Sequence, residues 1–421
     1  MASKVNSEQL RQTLKRDLAS ARKETDRLFQ MLSSAALNER PIPERHRIIF
    51  YLGHLEAFDW NMIGTWAFQK PSFNSGFDRL FAFGIDPVDG QLPDDKPSDW
   101  PRVEEIGAYR DKIRAAIDNL LGVADFAGFS HAQIFRVAIE HRLMHAETLA
   151  YMLHWIDFDL KEKSSDYDSG VSRRRRSGDA ASAIIPAGNT TFGQQSSGAF
   201  GWDNEFLPHS VLVPEFSMDI NKVTNAEFLE FVVAGGYGDR SLWTPYAWEW
   251  LQHTGTLHPK FWIRRNDTWF YRTMFEEIPL PPDWPVYASH AEASAYARWK
   301  GRSLPTEVQY HRAADGGIPA GNFGFRSWSP MPVGSFSPNG FGIFDLAGNG
   351  WEWTSTPFAP FEGFEPFSFY PGYSADFFDG KHFVMKGASP RTDSSLVRTS
   401  FRNWFQPYYP NVYASFRCIE Q

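Results

Sequence analysis

The sequence predicts two domains in series: an antiparallel four-helix bundle, then a loop-rich α+β domain. Three observations carry this reading. Residues 1–160 hold four long stretches with apolar positions at helical spacing. Residues 161–182, KEKSSDYDSGVSRRRRSGDAAS, hold charge, Ser and Gly with almost no hydrophobic side chains, and read as a linker. From 183 to 421 Gly, Pro, Trp and Phe become frequent and helical periodicity becomes rare.

The first helix is expected over 7–36, with Lys, Arg and Glu between its apolar positions. The second, PERHRIIFYLGHLEAFDWNMIGTWAF (43–68), has Pro43 near its first turn. Residues 71–101 are too rich in Pro, Gly and Asp for a regular element, and long connections of this kind are often functional. The third helix covers 102–122 and the fourth 130–156, with Ser130 as N-cap. In the second domain the best helices are TNAEFLEFVVAGG (224–236) and SHAEASAYARWKG (289–301). HSVLVPEFSMD (209–219) and HFVMKGAS (382–389) read as strands. Aromatic residues make up 16% of the whole chain, and the second domain is expected to rest on buried rings.

Composition excludes several classes. A net charge of −8 argues against a nucleic-acid partner, and the four arginines 173–176 lack interleaved aromatics, so they read as solvated linker. The single cysteine, Cys418, permits no intrachain disulfide. MASKVNSEQLRQTLKRDLAS has no apolar core of a secretory signal, and no run of about 18 apolar residues is present. A cytoplasmic protein with no membrane partner is the expectation.

The chemistry concentrates in EHRLMHAETLAYMLHW (140–155). His141 and His145, four residues apart, share one helix face, their Cβ atoms roughly 6 Å apart. Ala138, Leu149 and Met152 share that face, so the imidazoles point into the bundle. In the second helix Phe50, His54, Phe58 and Asn61 fall on one stripe. A lone interior histidine is usually a hydrogen-bonded core residue, whereas three that meet make a metal site. Glu147 sits about 200° around the helix from His145 and suits a supporting or surface role. His131 and His154 read as structural. Three imidazoles without a carboxylate leave open coordination positions, which fits catalytic zinc or non-haem Fe(II).

VTNAEFLEFV (223–232), YARWKGRSLPTEVQYHRAA (296–314), FGIFDLAGNGWEWT (341–354), VMKGAS (384–389) and SFRNWFQPYYPNVYASFRC (400–418) resemble the formylglycine-generating-enzyme-like fold, a C-type-lectin-related architecture. That enzyme works with a cysteine pair, so its activity is not expected from a chain with only Cys418. Residues 1–160 resemble DinB-like bundles, with His54 and then His-x3-His-x-Glu at 141–147. In this order the domains resemble the non-haem iron hercynine sulfoxide and selenoxide synthases of ergothioneine and selenoneine biosynthesis, with ovothiol synthase relatives. The resemblance implies Fe(II) held by His54, His141 and His145, where the bundle meets the second domain. It implies hercynine, O2 and a selenol or thiol donor as substrates. It implies Tyr370, in FSFYPGYSADFFDG (367–380), as a proton or electron source with Tyr373 second; the plain reading is that both are packing aromatics. Asn403 and Trp404 are implied as the hercynine pocket, and an indole face suits a quaternary ammonium. Met144 stands where mycobacterial-type enzymes commonly have Gln, which leaves the imidazole contact open.

Mycobacterial-type synthases accept γ-glutamylcysteine. They carry an Asp after Asn-Trp, an Arg four residues later, and an Arg between the second and third helices. Phe405, Tyr409 and about Gly84 occupy those places here. A dianionic donor without positive partners is poorly held. The expectation therefore moves to a selenosugar or cysteine. Phe405, Gln406, Tyr408 and Tyr409 offer the neutral surface a sugar needs, which tilts the choice toward the selenosugar, and Arg79 is the candidate for a cysteine carboxylate. An ergothioneine synthase using γ-glutamylcysteine, a zinc-dependent DinB-like thiol transferase and a carbohydrate-binding module remain as alternatives.

Overall fold

A computed structural model describes residues 2–82, 92–126, 129–163, 167, 182–195 and 199–420. The chain divides into two compact units, Met1–Ser165 and Asp166–Gln421.

The first unit is helical. α1 (Ala2–Gln30) buries Leu14, Leu18, Ala21 and Leu28. α2 (Ile48–Asp59) is buried over nearly its whole length, which makes it the central helix. It begins later than expected, and Pro43 lies outside it. Residues 42–45 instead make a turn closed by the Arg45 N–H on the Ile42 carbonyl at 3.0 Å, and the Ile48 N–H bonds the Glu39 carbonyl at 3.1 Å. α2 runs on into a π-helical stretch, Trp60–Ala67, where the Phe68 N–H reaches the Ile63 carbonyl. Asn61 thereby leaves the His54 stripe, its amide nitrogen lying 3.4 Å from the Asp78 carbonyl.

The 71–101 connection is not wholly irregular. α3 (Ser75–Leu80) forms there because the Asn74 side chain accepts the N–H groups of Gly76 and Phe77, each at 3.1 Å. α4 (Val103–Val123) follows, then α5 (Phe129–His154), which starts one residue before Ser130 and so leaves it inside the first turn. Lys161, expected in the linker, is buried; its Nζ donates to the carbonyls of Leu153 and His154 at 2.7 and 3.3 Å, closing the C-terminus of α5. Most of 161–182, including Arg173–Arg176, lies outside the described residues.

Arg142 of α5 is fully buried and grips α2. Its guanidinium donates to Asp59 at 2.6 Å, to the Leu55 carbonyl at 3.1 Å and to Glu56 at 3.2 Å. Arg114 of α4 bonds Glu56 and also Asp26 of α1, at 2.7 Å each. Burial works against the charge of Glu56, but Arg142 and Arg114 outweigh it and hold the carboxyl down to about 2. Asp59, buried beside the ionised Glu56, is pushed up.

The second unit is loop-rich, with small sheets. Its strands are β1 (Ser182–Ile185), β2 (Gly188–Phe192), β3 (His209–Val213), β4 (Phe216–Asp219), β5 (Trp262–Arg265), β6 (Thr268–Arg272), β7 (Glu277–Pro279), β8 (Gly350–Pro357), β9 (Phe383–Ala388), β10 (Asn403–Phe405), β11 (Ala414–Ser415) and β12 (Ile419–Glu420). They form sheets ordered β1-β4-β12, β10-β9-β8-β11, β2-β3 and β5-β6-β7 among the described residues. α6 (Asn225–Val233) and α8 (His290–Trp299) fall where expected, opened by the capping boxes Thr224–Glu227 and Ser289–Glu292. Two further helices went unread. α7 (Pro245–Thr254) has Thr244 as cap, Pro at its first position and Gly255 at φ 65° after its end. α9 (Glu307–Ala314) opens with the Thr306–Gln309 box. A four-residue turn, α10 (Gly372–Ala375), precedes β9. Trp202, Trp262, Trp284, Trp351 and Trp353 are all less than 2% exposed. Inside this aromatic core Glu352 pairs with Lys222 and Arg417 at 2.7 Å each.

Candidate metal centre and aromatic pocket

His54 of α2 and His141 and His145 of α5 meet in the bundle interior, each 5% exposed. Their coordinating nitrogens lie within 4.8 Å of one another. His145 Nε2 is 3.1 Å from both His54 Nε2 and His141 Nε2. Phe50 stacks on His54 at 4.8 Å and Phe58 on His141 at 3.4 Å, which fixes both imidazole planes. His54 Nδ1 is 2.7 Å from the Phe81 carbonyl. That bond requires the proton on Nδ1 and leaves the Nε2 lone pair bare. Phe81 comes this close because Gly53 has no side chain; a Cβ there would stand 2.4 Å from the Phe81 ring. Burial keeps the imidazoles neutral. It brings His54 down to about 4, against the opposing Phe81 carbonyl, and His141 and His145 well below the ordinary histidine value.

This donor set fits a metal ion. His145 Nε2 carries at most one proton, so it satisfies one of its two 3.1 Å contacts with nitrogen. With the His54 proton on Nδ1, the His54–His145 contact sets lone pair against lone pair whenever His145 Nε2 is bare, and a cation between them relieves it. Two imidazole nitrogens each about 2.1 Å from one metal lie roughly 3 to 3.4 Å apart at adjacent positions, close to the two contacts at 3.1 Å. With no carboxylate in the cluster among the described residues, coordination positions remain for substrate.

The other polar residues of the bundle divide plainly. Glu147 is outside the cluster but buried, not at the surface. His131 stacks on Phe68 and bonds the Asp125 carbonyl at 3.0 Å, and His154 is buried at the end of α5; both act in packing. Met144 is half-buried on α5 and Arg79 is exposed on α3. Gly84 lies outside the described residues.

The second unit gathers the tyrosines and the Asn-Trp pair. Asn403 and Trp404 sit on β10, paired antiparallel with Met385 and Val384 of β9. Trp404 stacks face to face on Phe358 at 4.2 Å and 7°. Tyr373 meets it edge-on at 5.4 Å and Phe377 lies 5.5 Å away. Tyr373 is itself stacked on Trp202 at 3.9 Å, whereas Tyr370, 5.6 Å from Tyr373, is half-buried. Phe405 and Tyr409 stack on each other at 5.3 Å and 7°, Gln406 is exposed, and Tyr408 stacks on Trp250. Trp202, Phe358 and Phe377 escaped the sequence reading because they lie 27 to 202 positions from Trp404 and belong to no shared motif. Phe81 escaped because it acts through a backbone carbonyl.

Residues 169–421 match the sulfatase-modifying factor enzyme 1-like domain, and residues 17–155 match the DinB superfamily. Hercynine oxygenase of Mycolicibacterium smegmatis is 31% identical over 97% of this chain and 98% of that protein. Ergothioneine biosynthesis protein 1 of Neurospora crassa is 29% identical over 93% of this chain, which spans 55% of that longer protein. The formylglycine-generating enzyme of Mycobacterium tuberculosis is 32% identical over 38% of this chain.

Anaerobic equilibrium dialysis tests the histidine cluster. The wild-type chain is expected to bind a single Fe(II), and His54→Ala, His141→Ala or His145→Ala to abolish tight binding while the helical circular dichroism persists. Full binding by His141→Ala would remove it from the ligand set.

Proposed function

The chain belongs to the hercynine oxygenase family, and on that footing we propose that it is an Fe(II)- and O2-dependent enzyme joining a selenol or thiol donor to the imidazole of hercynine. Selenoneine or ergothioneine biosynthesis is the setting. The balance is simple. One imidazole C–H and one S–H or Se–H are lost, O2 gives one atom to the sulfoxide or selenoxide, and the other leaves as water. The observation that carries this reading is the buried cluster of three neutral imidazoles, with the tautomer of His54 set by the Phe81 carbonyl.

His54, His141 and His145 would hold the iron. Bound there, Fe(II) supplies the one-electron chemistry that makes triplet O2 reactive toward a closed-shell thiolate or selenolate. The remaining work falls to the protein: orienting two substrates, excluding water and moving a proton. Trp404 presents an indole to the trimethylammonium group of hercynine, with Phe358 backing one face so that the cation takes the other. Asn403 offers an amide to the carboxylate. Met144 beside the histidine pair leaves the imidazole an apolar neighbour in place of an amide. Tyr370 is the source of the proton or electron. Its half-buried ring is less confined than that of Tyr373, which is clamped by Trp202 and Trp404.

The donor is a selenosugar or cysteine. The stacked Phe405 and Tyr409 carry no charge, and an aromatic surface suits sugar C–H groups. Losing charged contacts does more than weaken a dianion, because it also spares a neutral ligand the cost of facing unpaired charges. Arg79 is the candidate partner should the donor be cysteine.

One incubation decides among donors. Enzyme, Fe(II) and hercynine are combined without oxygen, selenoglucose, cysteine and γ-glutamylcysteine are added together, air is admitted, and products are identified by mass. The selenosugar or cysteine adduct is expected to dominate. A faster γ-glutamylcysteine adduct contradicts the reading of Phe405 and Tyr409, and absence of hercynine-dependent O2 uptake contradicts the activity itself. In the same assay Tyr370→Phe is expected to keep hercynine affinity while slowing adduct formation or diverting O2 to oxidation of the donor. An unchanged rate and product ratio would clear Tyr370 of a chemical role.

A further inference from the structure

The tyrosines and the Asn-Trp pair are far apart in sequence, and both are fastened to one short turn that no part of the proposed chemistry uses. Trp202, Asp203, Asn204 and Glu205 are each at most 1% exposed. Asp203–Glu205 form a single 3-10 turn, closed by the Trp202 N–H donating to Glu205 at 2.8 Å. Two carboxylates this deep need partners, since an unpaired buried charge is very costly. Each finds them in a different segment of the chain.

Asp203 accepts a short hydrogen bond from the Ser374 hydroxyl, and the Asn204 amide donates to the same hydroxyl oxygen at 2.8 Å. The backbone N–H of Phe367 also stabilises its charge. These contacts reach both ends of the segment that contains Tyr370 and Tyr373. Trp202, next to Asp203, lies flat against Tyr373. Glu205 faces the other way. It accepts from Arg398 Nε at 2.8 Å and Nη2 at 2.5 Å, and from the Ser400 hydroxyl at 2.7 Å. Those residues lead directly into β10. Arg402, next to Asn403, completes this side: it pairs with Glu307 at 2.9 Å and lies 4.9 Å over the Phe358 ring that backs Trp404.

We propose that Asp203 and Glu205 are positioning residues with divided duties, Asp203 setting the tyrosine segment 367–374 and Glu205 setting the segment 398–404 that carries Asn403 and Trp404. The mechanical part stands on the contacts alone. The expected kinetic consequences rest on the roles given above to Tyr370 and to Asn403 and Trp404. Burial pushes Asp203 up to about 6, against the opposing Ser374 hydroxyl, so its charge is held at a cost. An amide at this position keeps an acceptor for Ser374 without that cost. If Asp203 acts by position, Asp203→Asn is mild; if its charge takes part in chemistry, the same change is severe.

Hydrogen-exchange mass spectrometry on the full chain, paired with steady-state kinetics, tests the division. Ser374→Ala cuts the first link while leaving both carboxylates. It is expected to speed exchange in 367–380 roughly tenfold or more, the effect of losing one hydrogen bond to a charged group, and to leave 398–406 unchanged. Glu205→Gln is expected to do the reverse. In kinetics Ser374→Ala lowers kcat with the hercynine KM held, Glu205→Gln raises the hercynine KM, and Asp203→Asn retains most of the activity. Unchanged exchange in 367–380 for Ser374→Ala, or equal loosening of both segments by either variant, overturns the proposal. Near-total loss of activity in a folded Asp203→Asn protein overturns it too. If exchange divides as expected while neither kcat nor KM moves, the positioning stands and the roles assigned to the tyrosines and to Asn403 and Trp404 fall.

Discussion

The grip of Arg142 on α2 is the constraint on which the histidine cluster depends. Three imidazoles on two helices meet only if those helices hold one register, and a shift of one residue would turn His54 about 100° away. Apolar packing alone tolerates such shifts, because many buried side chains fit several neighbours. A guanidinium bonded at once to Asp59, Glu56 and the Leu55 carbonyl does not. Burying these ions costs several kcal/mol each before pairing offsets it. The network is therefore better understood as a registration device than as a source of stability. Arg142 is next in sequence to His141, and Glu56 and Asp59 are within five residues of His54.

The two units solve their electrostatic problems in opposite ways. In the bundle, burial keeps the imidazoles neutral and brings their Nε2 atoms together, an arrangement suited to holding a cation. In the second unit, the buried carboxylates Glu205, Glu307 and Glu352 each pair with a cation and become fixed points from which loops are hung. Loop-rich domains lack long helices to orient their side chains, so such points do the orienting. The packing of the aromatic cluster follows from this. Trp404 is held by the strand beneath it and by the stack of Arg402 on Phe358, and its own ring has little freedom.

What was legible in the sequence is what side-chain periodicity and motifs encode. His141 and His145 announce a shared face by their spacing, and His54 joins them through the stripe with Phe50 and Phe58. The second domain declared its family through stretches such as FGIFDLAGNGWEWT. The parts that stayed hidden have physical reasons. The late start of α2 comes from a turn at 42–45 and from the bond between the Ile48 N–H and the Glu39 carbonyl, which apolar spacing does not encode. The π-helical stretch after Asp59 changes the period on which the stripe argument relies, which is why Asn61 fell off it. The hold of Phe81 on His54 passes through a backbone carbonyl, which any residue supplies, and needs Gly53 to admit it. Partners such as Arg142 and Glu56, 86 positions apart, meet only after folding.

The protein fold presets the histidines for a metal before any metal arrives. The nitrogen-15 resonances of selectively labelled histidine in the metal-free protein at neutral pH report this most directly. A neutral His54 is expected, with its proton on Nδ1 and a bare Nε2, held in a slow-exchanging bond to the Phe81 carbonyl. A protonated imidazolium at His54, or a neutral ring with its proton on Nε2, would contradict it.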